Sequence, residues 1–230
     1  MMLIAAGLAA ALIAAASFVP APAAMRADSA SVVLPPVVVS VFSGPGISAS
    51  LVSRILAETS AIWRPGGFEF VWQRATRDLL PYTRRTETGA YEPSTVRVVI
   101  GDEHGASLDR RTPLGWITFD DDHEPQREIY LSYANAKSLM AAARAIVGVM
   151  DQMPPAQREI FLGRAMGRAL AHELGHYLLA SKVHTARGLL KASRTATELF
   201  SIDRAGFKID VVQRQQIVAR LRGDSQVVSR

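Results

Sequence analysis

Between Pro154-Pro155 and the loop that begins near Lys182 the chain holds one unbroken helical pattern, and inside it stands Ala171-His172-Glu173-Leu174-Gly175-His176-Tyr177. The periodicity predicts a helix from about Ala156 to Ala180. Met166, Leu170, Leu174 and Leu178 recur four apart and form an apolar stripe on the side opposite the two histidines. One face must therefore enter a core, while the other carries ionisable groups that are costly to bury without partners. Side chains four apart on a helix share a face, with Cβ atoms about 5–6 Å apart. His172 and His176 are thus candidate ligands of one divalent ion. Glu173, turned about 100° away, sits beside that ion rather than under it. Gly163, Gly167 and Gly175 each weaken helicity by about 0.8–1 kcal/mol relative to alanine, which points to close packing against neighbouring backbone.

Two imidazoles suit Zn²⁺, and a catalytic zinc takes three protein ligands and keeps one position open. His184, in Ser181-Lys182-Val183-His184, follows the helix after enough residues to leave it and turn back. It is the first candidate for the third ligand, and Glu198, in Thr195–Phe200, is the second. Beside the metal Glu173 is placed to take a proton from a water whose pKa zinc lowers to about 7. Cysteine is absent, which excludes thiolate ligands, a cysteine nucleophile and a disulfide scaffold.

The run HELGHYLLASKVH, with Gly188-Leu189-Leu190 soon after it, resembles the zincin superfamily of zinc metallopeptidases, and within it most resembles the metzincin branch. The resemblance implies His172, His176 and His184 as zinc ligands and Glu173 as catalytic base. It also implies a zinc-dependent hydrolase of peptide bonds, an endopeptidase rather than an exopeptidase, acting on peptide or protein substrates. Gly188-Leu189-Leu190 is similar to the metzincin methionine turn, with leucine in place of methionine. The third histidine comes eight residues after the second instead of six, and the usual glycine at the bend is absent. In such enzymes substrate lies along an edge strand upstream of the motif helix; by position that strand is Gly115–Phe119, and binding there is strand addition.

Upstream, Val37–Phe42, Phe68–Trp72 and Thr95–Ile100 are β-branched or aromatic runs bounded by Gly and Pro, and read as strands. Ile47–Trp63 has helical periodicity, and Arg74–Pro93 reads as an extended loop. Gly115–Phe119 and Glu128–Tyr133 flank the acidic turn Asp120–Gln126 and predict a hairpin. An alanine-rich stretch from Ala134 to Met150 is helix-prone, and a last amphipathic helix is expected near Asp210–Arg222. This order predicts an α+β domain with a twisted mixed β-sheet and an active-site helix, as in a zincin-like catalytic domain. With no repeat or linker, residues 25–230 read as one domain.

The chain has 230 residues and a formal charge of +5, with arginine supplying nearly all the positive charge. The arginines are dispersed, with mild clusters at Arg84–Arg85, Arg110–Arg111 and Arg214–Arg222, so they read as a solvated basic surface and not as a nucleic-acid interface. Asp120–Glu124 lacks the spaced oxygen ligands and glycine of a calcium loop and reads as a solvated turn. His104 has no evident partner. Tyr130 and Tyr133 are candidates for stabilising a transition state; Tyr177 follows the second ligand and is close enough to contact the cleft, although packing is the commoner fate of such a residue. Leu3–Val19 is almost wholly apolar and leads into Pro20-Ala21-Pro22-Ala23-Ala24, the layout of a signal peptide over residues 1–24, although no Lys or Arg precedes the run. Export to the periplasm or beyond is expected, with an uncleaved segment serving as a membrane anchor as the other outcome. A different class of function stays open: a metal-stabilised, non-catalytic binding or scaffold module of the cell envelope. Oligomeric state has no signature in the sequence.

Overall fold

The computed structural model describes residues 34–74, 96–102 and 113–223, which fall within one compact unit spanning residues 33–230. The N-terminal apolar segment, most of the loop expected at Arg74–Pro93, His104 and the Arg84–Arg85 and Arg110–Arg111 clusters lie outside the described residues.

Strand β1 (Val37–Ser43) starts after Pro35-Pro36, which cannot donate to a ladder. Helix α1 (Ala49–Trp63) follows, opened by Ser48, whose Oγ accepts from the Leu51 N–H at 3.0 Å. Then come β2 (Phe70–Arg74), β3 (Val96–Gly101), β4 (Gly115–Phe119) and β5 (Pro125–Ser132). The sheet order is β2-β1-β3-β5-β4, parallel throughout except for the β4–β5 hairpin. The chain is therefore α+β with a five-stranded mixed sheet. Its antiparallel edge strand β4 is Gly115–Phe119, the segment expected above as the edge.

One face of the sheet carries the core. Val96, Val98 and Ile100 of β3 and Ile129 and Leu131 of β5 are almost completely buried against α1 and α4 (Pro155–Leu179). Alternate residues face the other way: Trp116 stacks on Tyr130, and Arg97 pairs with Glu128 at 3.1 Å. Met166, Leu170, Leu174 and Leu178, the stripe read from the sequence, all lie in the core, each contributing about 1.5–3 kcal/mol by burial. The two long helices approach closely at Gly167, where a Cβ would stand 2.7 Å from the Ile55 carbonyl oxygen and from the Glu58 Cβ. The expected tight packing at this glycine is present.

The alanine-rich stretch is not one helix. It divides into α2 (Tyr133–Ala142) and a single turn, α3 (Arg144–Val147), which Gly148 ends at φ 93°. Periodicity cannot register such a break, because alanine fits both the helix and the corner. Strand β5 begins at Pro125, three residues before the expected start, and β2 two residues later than expected. After α4 come α5 (Ala196–Phe200) and α6 (Val211–Leu221), both opened by capping boxes, Thr195 with Glu198 and Asp210 with Gln213.

Candidate metal centre

Helix α4 delivers His172 and His176 to one face, one turn apart. The helix ends at Ala180, which takes the left-handed conformation (φ 46°, ψ 48°), a place where glycine is usual. That turn reverses the chain, so the Ser181 carbonyl comes back over the helix end and accepts from His176 Nδ1 at 2.6 Å. Three residues later His184 arrives opposite the other two rings. Its Nε2 lies 3.3 Å from those of both His172 and His176, which are 3.0 Å from each other. These three residues form the only histidine, cysteine or carboxylate group with metal-ligand spacing among the described residues.

The tautomers are fixed by what the other ring nitrogens meet. Leu189 O is 2.9 Å from His172 Nδ1, and a carbonyl can only accept, so Nδ1 of both His172 and His176 carries the proton. Their Nε2 atoms then present lone pairs to each other at 3.0 Å. Such a convergence is repulsive unless a cation lies between them. Tetrahedral ligation with Zn–N about 2.0–2.1 Å places nitrogens about 3.3–3.4 Å apart, which the two edges to His184 match and the 3.0 Å His172–His176 edge undercuts by about 0.3 Å. Burial and the neighbouring His176 push His172 down to about 4, and burial lowers His176 as well, so both stay neutral and able to ligate near pH 7.

Glu173 is buried beside the triad. A Cβ on Gly115 would lie 3.3 Å from its Cγ, and the Ile117 backbone N–H donates to its carboxylate. Burial outweighs that single donor and pushes the carboxyl up to about 8 in the protein alone. The contact follows from strand parity. Ser132 N–H donates to the Leu114 carbonyl at 2.9 Å, and bonded pairs alternate with outward-facing ones in an antiparallel ladder. Gly115, opposite Leu131, and Ile117, opposite Ile129, therefore turn their backbone groups toward the free edge.

A second tier holds these pieces. Gly188-Leu189-Leu190 passes under the triad, with Leu190 against Gly175, where a Cβ would meet its Cδ2 at 2.7 Å. Arg194 donates to the carbonyls of Gly188 and Gly206, the latter at 2.9 Å, and the Leu189 N–H donates to Lys208 O at 2.9 Å. Arg168, one turn before His172, is buried. It bonds Glu58 at 3.0 Å and the carbonyls of Ser201 and Asp203 at 2.7 and 2.9 Å. This guanidinium is core, an exception to the solvated basic surface read from the dispersed arginines.

Glu198 is not near the triad's ligand atoms as a partner. Its oxygens are taken by Lys191 at 2.9 Å, Arg194 at 3.1 Å and the Thr195 N–H at 2.8 Å. Of the two candidate third ligands, only His184 joins the cluster. The tyrosines also stand elsewhere. Tyr130 is on the outer sheet face with its hydroxyl donated to Glu128, Tyr133 lies under Lys137, and Tyr177 packs against the core. None of the three lines the cleft. The turn at Asp120–Glu124 is exposed and closed by its own backbone bonds. The Leu189 and Ser181 carbonyls and the Ile117 N–H escaped sequence reasoning because a backbone group has no letter of its own. Arg168 had a faint signal, an arginine at i−4 from His172.

The triad and Glu173 open into one cleft of about 910 Å³, lined also by β4, Lys182, Lys191, Arg194, Leu139, Leu199 and Phe207. No helix among the described residues is long and apolar enough to cross a membrane. No protein-family model, curated protein or solved structure matches the chain.

Proposed function

We propose that the chain is an exported zinc-dependent hydrolase of peptide bonds, zincin-like in fold and metzincin-like in motif, acting as an endopeptidase. The observation that carries the reading is the triangle of His172, His176 and His184 Nε2 atoms, two of them forced to be bare of protons. These three histidines would hold the zinc. Bound there, zinc supplies Lewis acidity, polarising a carbonyl oxygen and lowering the pKa of a water to about 7.

The remaining work falls to the chain's own groups. Glu173 accepts the proton of the attacking water on its carboxylate and returns it to the leaving nitrogen, so no net proton is gained. A general base must be ionised, and a cation beside a buried carboxyl favours that form. The outward backbone of Gly115 and the Ile117 carbonyl pair with an extended substrate, as an edge strand can. The same strand orients the base, since Ile117 N–H holds the Glu173 carboxylate. Gly188-Leu189-Leu190, which resembles the metzincin methionine turn in sequence, supports the reading by packing Leu190 against Gly175. Export rests on the apolar N-terminal run and its Pro/Ala hinge.

Metal analysis of the purified chain, followed by digestion of a proteome-derived peptide library with and without chelator, tests this. About one zinc per chain and chelator-sensitive cleavage are expected. Glu173→Gln should keep the zinc and lose turnover by about 10²–10⁴-fold. Unchanged turnover removes Glu173 as base. A zinc-loaded chain that cleaves nothing returns the site to the metal-stabilised scaffold reading.

A further inference from the structure

We propose that the cleft selects substrates bearing a carboxylate, received by Lys191 and Arg194 on the wall that follows the triad; the inference rests on the hydrolase reading and names its substrate class. The stretch from Arg187 to Lys208 holds five cations and two carboxylates, three of the chain's five net positive charges. Lys191 Nζ and Arg194 Nη1 both lean on one oxygen of Glu198, at 2.9 and 3.1 Å, while its other oxygen caps α5. Two cations therefore share one carboxylate. Behind them Arg168 and Arg204 share Glu58 in the same way. Glu173 is the only carboxylate on the cleft lining among the described residues.

Arg194 lines the cleft with its guanidinium fixed by Glu198 Oε1 and the carbonyls of Gly188 and Gly206, so it offers a substrate carboxylate a charge held in one place. Lys191, about one-third exposed, supplies the group that can move to meet it. Leu139, Leu199 and Phe207 line the same cleft, so the field of this wall is screened less than at an open surface. The other two cleft cations differ: Arg168 is paired with the buried Glu58, and Lys182 lies apart. Lys182 stands at the Phe119 end of the cleft, 3.5 Å from His123 and over the Phe119 ring, away from the Lys191 and Arg194 wall. The unbalanced positive charge is at Lys191 and Arg194.

The test uses the zinc-loaded full-length chain carrying Glu173→Gln and reads peptide binding by fluorescence anisotropy. The probes are labelled, amidated decapeptides in an uncharged background, with one Glu walked along the sequence and Gln as its control. Glu should bind about tenfold tighter than Gln at one position, and rising salt should erode the gain. A Gln-only peptide with a free C-terminal carboxylate distinguishes the two sources: tightening there alone assigns the pocket to chain ends. Lys191→Met should remove most of the preference and Lys191→Glu should invert it toward Lys peptides, with retained zinc stoichiometry showing that both fold. Equal binding of Glu, Gln and free-carboxylate peptides overturns the proposal, as does a preference undiminished in both Lys191 variants. Cleavage by the wild-type chain without any carboxylate preference sinks this inference and leaves the hydrolase. A carboxylate preference with no cleavage of any peptide does the reverse.

Discussion

The Nδ1–H of His172 donates to the carbonyl of Leu189, 2.9 Å away and seventeen residues along the chain. That one bond fixes which nitrogen faces the cleft, and it ties the ligand's orientation to the turn at Gly188. The turn in turn hangs on Arg194, which donates to Gly188 O and Gly206 O and lies 4.3 Å over the Phe207 ring. Partners that orient a ligating histidine typically change metal affinity by about 10–100-fold when removed. Arg194→Lys, which keeps the charge but loses the fork, should weaken zinc binding by about tenfold in a chelator competition. The cobalt-substituted protein should show a shifted visible spectrum if the ligand geometry relaxes. An unchanged affinity and spectrum would show the turn to be held without Arg194.

His184 and Glu198 make opposite predictions for zinc. His184→Ala removes one of three converging nitrogens and should lower zinc affinity by about 100-fold or more, well beyond the loss of an orienting partner. Glu198→Ala should leave one zinc per chain in place, because its carboxylate already serves Lys191, Arg194 and the α5 cap. Stoichiometry by mass spectrometry after dialysis distinguishes the two.

The motif helix and its neighbours were legible because burial there follows a single period. Met166, Leu170, Leu174 and Leu178 repeat every four residues and reach the core as a group. The order of strands and helices was enough for an α+β chain with a mixed sheet, while Gly115–Phe119 as its edge came from the family resemblance together with position. What failed depended on parity or on backbone. Tyr130 alternates with Ile129 and Leu131, so once those two enter the core the tyrosine must leave the cleft side. Nothing local in the sequence says which of the three goes in. The left-handed Ala180 was equally hidden, since alanine carries no turn signal, yet that residue lets His184 return after eight residues without the expected glycine.

Glu198 makes the fold sensitive to acid. The Thr195 backbone N–H, and then Lys191, pull its carboxyl down to about 2 from an ordinary value of 4.5. A depressed folded-state pKa gives stability that is present above pH 4.5 and fades as pH falls toward 2. Glu198→Gln keeps the capping-box bond to the Thr195 N–H but discards the charge. The variant should melt below the wild type at pH 7, and the gap should close between about pH 4.5 and 2, as read by thermal melts along a pH series. A gap of constant size across that range would mean that the charge contributes nothing.

Glu58 is buried between Arg168 and Arg204, at 3.0 and 2.6 Å. Removing one member of a buried ion group leaves the others uncompensated and typically costs about 3–5 kcal/mol. Glu58→Ala should therefore lower denaturant stability by about that amount, whereas an exposed pair such as Arg220 with Glu124 should give less than about 1 kcal/mol when broken. If the two losses were equal, the Glu58 cluster would be a bystander.

Ala180 closes the motif helix in a conformation that alanine adopts at a cost of about 1–2 kcal/mol relative to the right-handed region. Glycine takes it freely but loses more backbone entropy on folding, about 0.5–1 kcal/mol, so the two effects oppose and strain is the larger. Ala180→Gly should stabilise the chain by about 0.5–1 kcal/mol, a rise in Tm of about 1–4 °C for a domain of this size. Zinc affinity should stay the same or improve, because the turn that carries Ser181 O to His176 Nδ1 is kept. A fall in both Tm and zinc affinity would show that the alanine methyl packs where it is needed, and that the turn is held by contacts rather than tolerated against strain.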